Sequence, residues 1–121
     1  MMEKKDGLLL FTAPGLQEIW FEAFLLGVEE EGIPLYIHDS REAGGLGLSA
    51  RQLADLAALG CCFDLGVGVD GEELAVRHRL QLDEAPLLLC RRCSLQPGGP
   101  RLAGHNSARL IKGIPLILAG R

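Results

Sequence analysis

Apolar residues fall in short blocks separated by glycine, proline and acidic residues, and the spacing within each block sets the element it predicts. Residues 7–12, Gly-Leu-Leu-Leu-Phe-Thr, are an unbroken apolar run of strand length, as expected of a strand buried on both faces. After Ala13-Pro14-Gly15 the period becomes helical over residues 16–31. At about 100° per residue, Leu16, Ile19, Trp20, Ala23, Leu26 and Gly27 form one stripe, the predicted core face. Phe21, Phe24, Leu25 and Val28 take the flank and far side, leaving Glu18, Glu22 and Glu29 as a narrow polar strip. A helix apolar nearly all round is buried on both sides. A chain of 121 residues has little material for a second covering layer, so the outer face is expected to meet a partner subunit. Local cover by a loop at 40–48 or 94–100 is the alternative.

Residues 34–38 read as a second short strand, which makes a strand, helix, strand unit with a right-handed crossover and a parallel pair. A glycine-rich loop at 42–48 leads to Ser49-Ala-Arg-Gln52, a capping box, and to an amphipathic helix through Leu59. Residues 63–69 and 73–78 alternate on either side of Asp70-Gly71, a hairpin signal. Residues 85–90 fit a strand or a short helix; a last helix runs from Gly98-Gly-Pro100 to Lys112-Gly113, and 114–118 predicts a final short strand. The class is α/β.

Composition narrows the function. With 48% hydrophobic residues the chain is expected to form one domain over 1–121. A net charge of −4 argues against nucleic acid, whose phosphates need clustered Lys and Arg. No apolar run approaches a membrane span of roughly 20 residues, and Met-Met-Glu-Lys-Lys-Asp has no signal-peptide pattern, so a cytoplasmic protein is expected. Cys61-Cys62 and Cys90-Arg-Arg-Cys93 have no His at ligand spacing, and the Cys-x-x-Cys ends an apolar run where a redox motif opens a helix. Structural thiols are the expectation. Gly44-Gly-Leu-Gly47 lacks the Lys-Ser/Thr of a phosphate loop, so no nucleotide site is expected. His38, His78 and His105 are scattered with no adjacent nucleophile, and Glu72-Glu73 and Asp83-Glu84 look like turn residues, so no catalytic set emerges.

One feature is unusual. Gly27-Val-Glu-Glu-Glu-Gly-Ile-Pro34 places Glu29, Glu30 and Glu31 at a helix C-terminus, where each exposed carboxylate costs about 0.3–1 kcal/mol against the dipole. A bound cation or a basic partner surface would favour them; the alternative is a solvated end before a Gly32 cap and a Pro34 stop. The three side chains point in different directions and cannot all hold one ion.

This segment, the hairpin Gly66-Val-Gly-Val69, Glu84-Ala-Pro-Leu87 and Gly104-His-Asn-Ser-Ala-Arg-Leu-Ile-Lys-Gly-Ile-Pro-Leu116 occur in the order seen in the small (beta) subunits of diol/glycerol dehydratase reactivases, and the chain resembles that family over about residues 7–116. The resemblance implies a single-domain flavodoxin-like three-layer fold with a mainly parallel sheet and one β-hairpin. It implies no catalytic residue and no cofactor bound by this chain alone. The partner it implies is the large reactivase subunit, an ATPase, and indirectly the adenosylcobalamin-dependent dehydratase, with association with a bacterial microcompartment left open. In the family the second Glu of the Gly-x-Glu-Glu segment joins the ligands of a divalent metal, Mg²⁺, held by the large subunit; here that residue is Glu30. The interface would then comprise Phe21, Leu25, Val28, Glu29 and Glu31, and without the large subunit the chain would self-associate through it as a homo-oligomer. The implied mechanism is subunit exchange that releases damaged cobalamin. Cys90, Cys93 and the residues around them match no motif of the family. A small flavodoxin-like enzyme or thiol-redox domain using Cys90 and Cys93 is the alternative, and a cobalamin-binding or medium-subunit fragment of a dehydratase a third.

Overall fold

The computed structural model describes residues 4–15, 20–43, 47–80, 85–92 and 99–117. Five strands form one sheet: β1 (Leu8–Thr12), β2 (Leu35–Asp39), β3 (Leu65–Val69), β4 (Glu73–His78) and β5 (Leu88–Arg91), in the order β2-β1-β3-β4-β5. The helices are α1 (Glu22–Glu30), α2 (Ala50–Leu59) and α3 (Gly99–Lys112), with a 3-10 turn at Ser40–Ala43. β1 pairs parallel with both β2 and β3, whereas β3 with β4 and β4 with β5 are antiparallel. The sheet is therefore mixed, not mainly parallel. The reason lies in the connections: β3 turns directly into β4 at Asp70-Gly71, and the nine residues 79–87 are too few for the crossover of a dozen or more that a parallel strand needs. Of the stretch 85–90, residues 88–90 belong to a strand, β5, and 85–87 lead into it as irregular chain; 114–117 is likewise irregular, against the expected strand. Leu118 lies outside the described residues.

The two faces of the sheet are sorted residue by residue. Leu8 and Leu10 of β1, with Val67 and Val69 of β3, join Phe21 just before α1, Phe24 and Val28 of α1, and Ala103 and Ala108 of α3 in one core. Leu9 and Phe11 pack with Leu53 and Ala57 of α2 on the other side. Gly66 and Gly68 lie under α2, where an added Cβ would strike the backbone of Ala54, Ala58 and Ala50. The Gly-Val-Gly-Val alternation thus combines a bulky face toward α1 and α3 with a bare one that lets an alanine-lined helix rest on the strand. α2 starts as predicted: Ser49 Oγ accepts from Gln52 N, and Gln52 Oε1 accepts from Ser49 N at 2.9 Å. Asp70 Oδ2 also accepts from Ala50 N at 3.0 Å, tying the hairpin to the helix.

α1 corrects the sequence reading most sharply. Phe21, Phe24 and Val28 are fully buried and Leu25 is 8% exposed, while Leu26 is 46% exposed. Trp20 and Ala23 are half-buried, and Leu16 and Ile19 lie outside the described residues. Phe21, Phe24, Leu25 and Val28, expected on the flank and far side, thus fill the core, and Leu26 of the expected core stripe is exposed, whereas Gly27 of that stripe is buried and Trp20 packs against the core as expected. Phe21, Leu25 and Val28 are core residues of this chain and present no surface to a partner or a second copy. The second covering layer is α3, which crosses α1 with almost no gap. A Cβ on Gly27 would land on the Arg101 carbonyl, and one on Gly104 on the Phe24 carbonyl. Gly32, with φ +76°, closes α1 in the left-handed conformation expected of the cap.

Candidate functional site: the acidic end of helix α1 against a basic stripe

Arg101, His105, Arg109 and Lys112 are spaced four, four and three residues apart, which places them along one side of α3. The close crossing at Gly27 and Gly104 brings that stripe against the end of α1. The basic surface invoked by the three glutamates is inside the chain itself.

Glu31 is enclosed by it. Arg109 Nε donates to Glu31 Oε2 at 2.9 Å, Lys112 Nζ to Oε1 at 2.9 Å, and His105 Nδ1 to Oε2 at 2.7 Å. Lys112 Nζ also reaches the Glu31 carbonyl at 2.8 Å, satisfying an acceptor the helix end leaves open. Its hydrogen bond from Lys112, followed by that from His105 and the contacts with Arg109, lowers the Glu31 carboxyl to about 2. This side chain is only 9% exposed and faces its own fold, so Glu31 is not an open interface group.

Glu30 faces outward. Arg101 grips it through both oxygens, Nε to Oε1 at 2.7 Å and Nη2 to Oε2, and His105 Nε2 stands 3.4 Å from Oε1. The Arg101 hydrogen bond is the main reason its carboxyl lies below the ordinary value, and the same contact raises Arg101. The Glu30 side chain is 39% exposed. Glu29 is exposed, and Leu26 stands one turn before Glu30 on the same face. The open surface at this end is thus Leu26, Glu29 and Glu30, next to Arg101. The spacing of the basic residues on α3 was readable from the sequence; its meeting with Glu30 and Glu31, more than 70 positions away, was not.

Chemistry elsewhere is sparse among the described residues. Cys61 is buried and its thiol donates to the Gly7 carbonyl at 3.1 Å, while Cys62 is exposed. Cys90 sits half-buried on β5, where burial pushes its thiol up, opposite to the shift a nucleophilic thiol needs. Cys93, Asp83, Glu84 and the glycines at 44 and 45 lie outside the described residues. His38 stands edge-on to Phe11, with ring centres 6.1 Å apart, and His78 Nδ1 accepts from Leu80 N at 3.1 Å. Glu73 is paired with Arg51 at 3.1 Å. No three His, Cys, Asp or Glu side chains converge as a metal-ligand set among the described residues, and no helix described is long and apolar enough to cross a membrane.

Comparison with known proteins gives a consistent picture. The family model described as dehydratase medium subunit matches residues 8–117. The chain is 33% identical to the propanediol dehydratase-reactivating factor small subunit of Citrobacter freundii, over 89% of this chain and 87% of that one. It is 36% identical to the diol dehydratase-reactivating factor small subunit of Klebsiella michiganensis, over 84% of this chain and 75% of the relative. Among solved structures, a diol dehydratase-reactivating factor complexed with ADP and Mg²⁺ superposes with TM-score 0.82 at 27% identity, covering 95% of this chain and all of the other (100%). A glycerol dehydratase reactivase gives 0.79 at 26% identity, covering 94% and 98%. The mixed sheet and its two helical layers are therefore the architecture of reactivase chains, and this chain belongs to the dehydratase medium subunit family, alongside the small subunits of dehydratase-reactivating factors.

Proposed function

We propose that this chain is the non-catalytic small subunit of an ATP-dependent reactivating factor, whose larger partner subunit hydrolyses the nucleotide. Its role is to occupy the position on that partner which a dehydratase medium subunit takes during reactivation. When the adenosyl group of the dehydratase cofactor is lost, the damaged cobalamin stays bound. The large subunit gives up the small subunit, takes the medium subunit in its place, and so opens a path for the cobalamin to leave. Family membership supports this reading: a chain built on the medium-subunit plan has the shape to alternate with a medium subunit on one docking surface. The switch requires that the nucleotide states of the large subunit differ in affinity for this chain, since equal affinity would shift no population.

The observation that carries the docking site is the outward face of α1 near its end, where Leu26, Glu29 and Glu30 stay open while Phe21, Leu25, Val28 and Glu31 are taken up by the fold. A divalent ion fits this site only as a shared one. The chain offers one hard oxygen donor, Glu30, and no converging set among its described residues, so the large subunit would supply the remaining ligands. The bound ion would supply a bridge of positive charge between the two chains, and it would also offset the dipole cost of a carboxylate at the end of α1.

Pull-down by the large subunit, in Mg²⁺ and in chelator, tests the reading. Wild type should bind more tightly in Mg²⁺, and Glu30→Gln should bind weakly and lose its response to chelator. Glu30→Gln binding like wild type under both conditions would end the metal role. A large subunit that fails to bind the wild-type chain in every nucleotide state would end the placeholder function.

A further inference from the structure

Arg101 belongs to the first turn of α3, where the positive end of the helix dipole disfavours a cation, and Glu30 belongs to the last turn of α1, where the negative end disfavours an anion. Each is wrongly signed for its own helix and correctly signed for the other. The fork of Nε and Nη2 takes both carboxylate oxygens of Glu30. A divalent ion approaches a carboxylate oxygen to roughly 2.0–2.6 Å. It cannot take the same lone pairs as a guanidinium already there, and the two positive charges would repel.

We propose that Arg101 is an internal counter-cation for Glu30: it holds the carboxylate in the free subunit and is exchanged for the divalent ion when the large subunit docks. The inference rests on the shared-ion reading of Glu30 given above. Its consequence is that Arg101 works against docking. An exchangeable placeholder gains from such a brake, because the energy of the intramolecular fork is subtracted from the affinity for the large subunit, and the return of Arg101 to Glu30 favours release. Arg101 makes the two-oxygen fork on Glu30, while His105 Nε2 stands farther off, 3.4 Å from Oε1.

The test is calorimetric titration of the large subunit, in Mg²⁺ and in chelator, with wild type, Arg101→Gln, Arg101→Lys, Glu30→Gln and the Arg101→Gln/Glu30→Gln double variant, each checked for an unchanged far-UV spectrum. Arg101→Gln should bind about fivefold more tightly than wild type in Mg²⁺, the order expected for one exposed, well-formed fork. The gain should vanish in chelator and in the Glu30→Gln background. Arg101→Lys, which keeps the charge and loses the planar fork, should fall between. If Arg101→Gln binds no better than wild type in Mg²⁺ while Glu30→Gln is weakened, Glu30 keeps its ion and the counter-cation role is wrong. If the gain persists in chelator or in the double variant, Arg101 acts through some other contact and the role is again wrong. If Glu30→Gln binds like wild type, the shared-ion reading fails and takes this proposal with it.

Discussion

Glu30 and Glu31 are adjacent and chemically identical, yet the end of α1 turns one outward to the Arg101 guanidinium, with His105 at its edge, and the other inward to two cations and the same histidine. Glu31 is the structural member. Its carboxyl is held at about 2, below the ordinary 4.5, so it stabilises the fold fully above the higher value and loses that contribution as pH falls toward the lower. The urea midpoint of wild type should accordingly exceed that of Glu31→Gln at pH 6, and the gap should narrow steadily toward pH 3. A gap that stays constant would show that the loss comes from packing and not from the charge. The sequence made the cluster visible because carboxylates at a helix C-terminus are anomalous. It did not show which of the three is spoken for, since that depends on how far Arg109 and Lys112 reach from another helix.

Among the elements, those whose signal is local were legible. The capping box at Ser49, the hairpin at Asp70-Gly71 and the first strand are all set by residues within a few positions of one another, and each forms where its pattern predicts. Asp70 does more than turn the chain: it accepts from Glu72 N and Glu73 N, both at 2.8 Å, as well as from Ala50 N. Replacing Asp70 with Ala should therefore cost about 1–2 kcal/mol, the upper range for a lost helix cap, read as a lower urea midpoint at unchanged slope. The orientation of α1 was not legible, because a helix apolar nearly all round offers two plausible buried faces and its periodicity cannot choose between them. What chooses is the glycine contact between α1 and α3. Gly27→Ala should push the helices apart and destabilise the fold by about 1–3 kcal/mol, while Gly71→Ala, with open space around it, should cost far less. Thermal melts of the two variants provide the comparison.

On the scale of the whole molecule, the sheet separates two surfaces that serve different ends. Among the described residues, α2 is the helix that covers one face, whereas α1 and α3 seal the other and bring the paired charges together at one end. A parallel start and an antiparallel finish let three helices among the described residues bury both faces of β1, β3 and most of β4. If the large subunit docks on the α1 side, exposed leucines on the two surfaces should behave differently. Leu26, 46% exposed beside Glu30, should tolerate Leu26→Asp in the fold while losing most of its binding to the large subunit, since the new carboxylate would be buried at the contact without a partner. Leu59, 56% exposed at the end of α2 on the opposite side, should tolerate Leu59→Asp in both respects. Leu25→Asp, by contrast, should unfold the chain, because its site is interior. Far-UV spectra and pull-down of the three variants separate these outcomes. Equal loss of binding from Leu26→Asp and Leu59→Asp would place the contact elsewhere, whereas loss confined to Leu26→Asp would put the docking surface on the helix end where Glu30 and Arg101 meet.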